Sequence, residues 1–373
     1  MLDPRVKKLA DMLVNYSMEV KKGEKVMLNF IGSSTEPLVR ELISSVVRAG
    51  GVPFWVFDDS PLSRRFVAEA DENQMTVFGD VHKSMMQQMD CYCGVRGSDN
   101  KFEMAGLPSE QMKNYKKLYG EKVHMQVRVP DTRWVVMRWP NASMAQQSGK
   151  STEDFENFYF DVCTLDYAKM SAAMEKLVER MHRTDRVRIV AKDTDISFST
   201  KDIPAIKCDG KLNIPDGEVY TAPVKNSVNG RITDNTPSTQ EGVMYEGVSL
   251  EFKDGKIVSI DAKNDVDSLR EVFEVDEGAK YVGEFAIGVN PYILHPMNDT
   301  LFDEKIAGSI HFTPGNSYDE APNGNKSSLH WDMVLIQRED YGGGELFFDD
   351  ELVRKDGIFV VDDLKCLNPE ELK

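Results

Sequence analysis

Two short apolar runs, Val-Met-Leu-Asn-Phe-Ile at 26–31 and Val-Pro-Phe-Trp-Val-Phe at 52–57, flank a segment of helical periodicity. Within that segment Leu38, Leu42, Ile43, Val46 and Val47 recur at i, i+4, i+5, i+8 and i+9, which places them on one face of a helix. Pro37 stands in its first turn and Gly50-Gly51 ends it. Strand, helix and strand in this order make a βαβ unit, and its right-handed crossover forces the two strands to run parallel. Further strands are expected at 91–95, 123–129 and 134–138, and a helix at 109–118, so the first half reads as α/β. It lacks both Gly-x-x-x-x-Gly-Lys-Ser/Thr and, after the first strand, Gly-x-Gly-x-x-Gly, so nothing marks a nucleotide cradle.

A long helical stretch is expected over 151–181. Ser151 and Asp154 give it a start like a capping box, and Phe155, Phe158, Tyr159, Val162 and Cys163 form its apolar face. After Asp185 the pattern changes to strands and glycine turns. Val248, Leu250 and Phe252 alternate into Asp254-Gly255, and 257–260 returns as the second arm of a hairpin. A second turn of this kind lies at Asp356-Gly357. A chain of 373 residues exceeds one ordinary core. The expected fold is therefore an N-terminal α/β domain at 1–185 followed by a mixed α+β catalytic domain at 186–373.

Charge narrows the partners. A net charge of −17 and a pI near 4.9 argue against a phosphate-tracking face, so no nucleic-acid partner is expected. No stretch reaches the roughly 18–20 apolar residues that span a bilayer, so no membrane partner is expected either. The start, Met1-Leu2-Asp3-Pro4-Arg5, lacks the apolar core of a signal peptide. Cys91, Cys93, Cys163, Cys208 and Cys366 are scattered, with no Cys-x-x-Cys pair, which suits reduced thiols. The expectation is a cytoplasmic protein.

The candidate chemistry gathers in the second half. In His330-Trp331-Asp332, an extended backbone puts imidazole and carboxylate on the same side, a pair suited to a borderline divalent cation. Glu284 is a lone charge inside the apolar run Val-Gly-Glu-Phe-Ala-Ile-Gly, and burying an unpaired carboxylate demands a cation or a basic partner. Glu218 sits among Gly217, Pro215 and Pro223, in a loop stiff enough to present it. His311 is followed seven residues later by Tyr318. His82 and His182 fall in charged helical surroundings and His124 in an expected strand, all three read as surface or satisfied core groups.

These motifs, in this order, resemble the thermophilic metalloaminopeptidases, the aminopeptidase T and aminopeptidase S group. That family carries a loop ending Glu-Val-Phe-Thr-Ala-Pro, a Gly-Glu strand, a His followed seven residues later by Tyr, and a His-x-Asp pair. The segment from Arg138 through Trp139-Pro140-Asn141 to Ala145-Gln146 is similar to another of its motifs. One departure stands out: some members carry two glutamates in the first motif, where this chain has Gly217-Glu218.

The resemblance implies that Glu218, Glu284, His311, Tyr318, His330 and Asp332 hold two divalent metal ions, zinc, cobalt or magnesium. It implies an aminopeptidase releasing N-terminal residues from small peptides by metal-activated water, working as a homodimer. The general base is open among Glu218, Glu284 and Glu304, and His295 is a candidate lining residue. Two alternatives stand beside this reading: a two-metal amidase or dipeptidase, and a ligand-binding protein with a structural metal site.

Overall fold

The computed structural model describes residues 3–240 and 242–373. The chain forms two compact units: one holds the chain up to Thr164 together with Gly210–Ile214, the other holds Leu165–Asp209 together with Pro215–Lys373. Among the described residues no helix is long and apolar enough to cross a membrane.

The first unit is built on an all-parallel sheet. Its strands lie in the order Val52–Asp58, Lys25–Ile31, Cys91–Arg96, Arg133–Arg138 and Asn213–Ile214. Cys91 through Val95 are buried without alternation, the pattern of a parallel strand covered on both faces. The helix Glu36–Arg48 buries Leu38, Val39, Leu42 and Val46 and leaves Val47 exposed. Gly50, at φ +82°, ends the turn that follows it, a left-handed position glycine takes at no steric cost.

Two local expectations are corrected here. The segment 123–129, whose valines suggested a strand, is helical: Ser109–Tyr115 continues as a wide helix over Lys116–Arg128. Val123 and Val127, four residues apart, are its buried positions and pack on Met86, Met89 and Tyr92. A shared buried face at helical spacing overrode the strand propensity of the valines. The stretch 151–181 is two helices, Thr152–Cys163 and Tyr167–Met181. Ser151 caps the first through Asp154 N, and Asp166 caps the second through Lys169 N.

The second unit stacks two antiparallel sheets. The larger has eight strands. It includes the hairpin Ser249–Lys253 and Lys256–Asp261, whose turn residues Asp254 and Gly255 both have positive φ. The smaller runs in the order Met333–Ile336, Ser309–Pro314, Val282–Gly288, Glu218–Thr221 and Ile206–Cys208. Phe198 of the larger sheet packs against Phe285 and Phe312 of the smaller one, at 5.1 and 5.3 Å between ring centroids. One face of the smaller sheet is thus sealed by aromatic core. The opposite face is where charge collects.

Candidate metal centre

Strand register decides which side chains meet. Glu284 lies opposite Thr313, Ala286 opposite both His311 and Tyr220, and Gly288 opposite Glu218. Directly paired residues project to the same side of a sheet. Glu284, His311, Thr313 and Glu218 therefore share the face away from Phe285 and Phe312. Ala286 and Gly288 keep the middle of that face shallow. A side chain at 288 is excluded, because a Cβ there would stand 2.4 Å from the Ile306 carbonyl oxygen. The sheet builds a floor of small residues rimmed by donors.

His330 and Asp332 reach the same place from just before the strand Met333–Ile336. His330 forms an isolated bridge with Gly315, and the alternation still holds. Trp331 turns the other way, packing on Tyr245 and Phe273 and donating Nε1–H to Ser238 Oγ at 2.7 Å.

The distances converge on Glu284. Its Oε1 lies 3.2 Å from His311 Nε2, and its Oε2 lies 3.3 Å from His330 Nε2. His330 Nε2 is also 3.3 Å from Asp332 Oδ1, and Glu218 Oε2 is 3.6 Å from His311 Nδ1. Glu218, Glu284 and His311 form one donor triad, and Glu284, His330 and Asp332 a second, each with its ligand atoms within 4.8 Å of one another. Glu284 belongs to both.

Surrounding groups fix these side chains. His330 Nδ1 donates to the Asn316 carbonyl at 2.9 Å, and His311 Nδ1 lies 3.2 Å from that of Glu304. Thr313 Oγ1 donates to Asp332 Oδ1 at 2.8 Å. Bonds of this kind set the imidazole tautomer and orientation at metal sites. Two buried atoms, Glu218 Oε2 and His330 Nε2, find no hydrogen-bond partner among the described residues in spite of the polar company. An unsatisfied carboxylate oxygen and an unsatisfied imidazole nitrogen in such a donor set fit a divalent cation.

Electrostatics agree. Burial alone would lower His311, but Glu218 and Glu284 outweigh it and raise its pKa to about 10. Burial likewise opposes charge on His330, yet Asp332 and Glu284 raise it to about 11. Asp332 resists burial through the His330 contact and is held below the usual carboxylate range. Without a metal, then, protons supply the positive charge that this carboxylate cluster demands.

Tyr318 sets its ring 4.7 Å from that of His330 and 5.5 Å from that of Tyr220. Although Tyr318 is 43% exposed, the packing around its ring and then the neighbouring carboxylates led by Glu284 push its phenol up, which keeps it protonated. Glu304 lies at the site's edge against Lys305, and burial raises its carboxyl well above the ordinary range. His295 is exposed, its Nδ1 3.0 Å from the Tyr341 hydroxyl, and it stands outside both triads. His82 packs on Phe78 and Tyr119, and His182 accepts from Ala205 N.

Some residues of the centre escaped sequence reasoning. Lys305, 1% exposed, stands against Glu218, Asp216 and Glu304. Cys208 and Asp216 join Glu218 in a third donor triad. Asp303-Glu304-Lys305 reads as a surface charge run, and only the tertiary fold buries Asp303 and Lys305.

Comparison with known proteins agrees with the geometry. Residues 2–357 match the thermophilic metalloprotease (M29) family, and the chain belongs to it. It is 25% identical over 389 residues to Aminopeptidase T of Thermus thermophilus, covering 90% of this chain and 93% of that protein. It is 34% identical to Aminopeptidase 2 of Geobacillus stearothermophilus over 110 residues, which span only 28% of this chain and 26% of that relative. Among solved structures, wild-type AmpT from Thermus thermophilus superposes with a TM-score of 0.78 at 22% identity, over 97% of this chain and 100% of that one. A 2,5-dihydroxypyridine dioxygenase from Pseudomonas putida shares the fold at a TM-score of 0.61 and 14% identity, over 96% and 98% of the two chains. One fold therefore carries more than one chemistry, and the site must carry the functional argument.

Proposed function

We propose that the chain is a metal-dependent aminopeptidase that removes the N-terminal residue from small peptides, with residues 186–373 as its catalytic part. The observation that carries the reading is Glu284, whose two oxygens face two different histidines in two donor triads. A carboxylate placed so is suited to bridge two divalent ions, for which the nitrogen and oxygen donors fit zinc, cobalt or magnesium. Glu218 and His311 would hold one, His330 and Asp332 the other. When bound, such ions supply Lewis acidity toward a peptide carbonyl and make water a nucleophile near neutral pH.

The chain's own groups account for the remaining requirements. The protonated Tyr318 phenol, held ring to ring against His330, is suited to donate to the carbonyl oxygen as it gains negative charge. With Glu218 and Glu284 engaged as donors, Glu304 is left as the carboxyl to take the proton of the attacking water. Its raised pKa is the direction that proton exchange near neutral pH requires. The reading includes a homodimer, supported by the family resemblance, and a cytoplasmic location, supported by five free cysteines.

A leucine-derived chromogenic amide and its N-acetylated form provide the test. An aminopeptidase cleaves the free amine and leaves the blocked one intact. Equal cleavage of both would replace it with an amidase.

A further inference from the structure

Among the described residues there are three donor triads, and Glu284 joins only two of them. The third, Cys208, Asp216 and Glu218, has its ligand atoms within 4.8 Å of one another and shares Glu218 with the first. It already holds a positive charge. Lys305 Nζ lies 3.3 Å from Glu218 Oε1 and 3.9 Å from Asp216 Oδ1, and it contacts Glu304 as well. Glu218 thus turns one oxygen to the ammonium and leaves Oε2, without a hydrogen-bond partner, on the His311 side.

The backbone explains how so long a side chain is fixed there. Gly288 lets the 305–306 segment press against the floor strand, and Asn290 N–H donates to the Lys305 carbonyl at 3.0 Å. The lysine stem starts beside the strand end that carries Glu218 and has no freedom to withdraw to solvent. A buried ammonium needs carboxylates, and buried carboxylates in turn need a positive charge beside them.

Resting on the two-ion reading above, we propose that Lys305 is a positioning residue that occupies the Cys208–Asp216–Glu218 triad with its own ammonium, confining divalent ions to the two triads on Glu284. Like charge excludes a third ion from that pocket, and Glu218 is kept for the ion it shares with His311. Removing the ammonium opens an acidic pocket with a soft sulfur donor, which a transition metal then enters.

Cobalt titration of the metal-stripped full chain, followed by metal analysis and absorbance, tests this. Wild type takes up two ions per chain and shows no thiolate-to-cobalt charge-transfer band. Lys305→Met takes up one further ion and gains that band, and adding Cys208→Ser abolishes it. Its kcat falls by about ten- to a hundredfold with KM little changed, because Glu218 is drawn from its triad. Lys305→Arg, which keeps the charge, restores two-ion uptake without the band. Lys305→Met with wild-type uptake and spectrum overturns the proposal alone. So does a third ion with a thiolate band in wild type, a result that stands even if Lys305→Met fails to fold. Wild type that takes up no cobalt at all overturns the metal reading itself, and this proposal with it.

Discussion

Two histidines, one in each compact unit, are surrounded by protein and shifted in opposite directions. His124, on the wide helix of the parallel-sheet unit, packs on Tyr119 and Tyr92 and accepts from Arg128 Nε at 3.2 Å. Burial, assisted by Arg128 and Arg96, lowers its pKa to about 3. His311, in the antiparallel unit, meets Glu218 and Glu284 and rises to about 10 in spite of burial. The difference lies in what faces each ring. Cations and aromatic edges make a neutral, structural imidazole; carboxylates make a charged one, of the kind that can give up its proton to a metal ion. Burying a titratable side chain does not by itself make a site.

The widest way to break this contrast is to remove the carboxylate that both triads share. Glu284→Ala should lower kcat/KM by about 10³-fold, since metal-assisted stabilisation of developing charge amounts to several kcal/mol. Its secondary structure, read by circular dichroism, should be kept. Near-wild-type activity in that variant would remove Glu284 from the centre.

A second change probes the one departure from the family motif. Gly217 has φ +131°, and a Cβ there would come within 3.0 Å of Asn290. Gly217→Glu should destabilise the fold by about 1–3 kcal/mol in urea unfolding, the usual cost of a strained backbone. A glutamate tolerated without loss would show that this backbone relaxes readily and that the glycine is incidental.

A further effect, felt only as the pH falls, concerns the neutral histidine. Its folded pKa lies below the ordinary 6.5, so the stability it contributes is present above pH 6.5 and is lost as pH falls toward 3. From pH 7 to pH 5 that amounts to about 2 kcal/mol. His124→Phe should flatten this part of the pH–stability profile, measured by urea unfolding at each pH. An unchanged slope in the variant would place the acid sensitivity elsewhere.

Legibility in the sequence followed the same division. The βαβ start, the Asp254-Gly255 hairpin and the lone carboxylate in 282–288 were readable, because periodicity, turn chemistry and the cost of burying charge are local signals. The strand expected at 123–129 failed because valines favour strands only where a sheet receives them; here Val123 and Val127 met a core at helical spacing. The joint at 164–166 went unseen because Thr164-Leu165-Asp166 holds neither the glycine nor the proline that marks a break between helices. Lys305 was illegible for a different reason. Flanked by Asp303 and Glu304, it carries the pattern of a solvated run, and only the approach of 305–306 to Gly288 buries it.

Calorimetric titration of the metal-stripped protein with zinc decides whether two ions depend on the one carboxylate of Glu284. Two ions per chain in wild type, one in Asp332→Ala, and sharply weakened binding of both in Glu284→Ala is the predicted result. Saturation of wild type at a single ion, or two-ion binding that survives loss of Glu284, would contradict it.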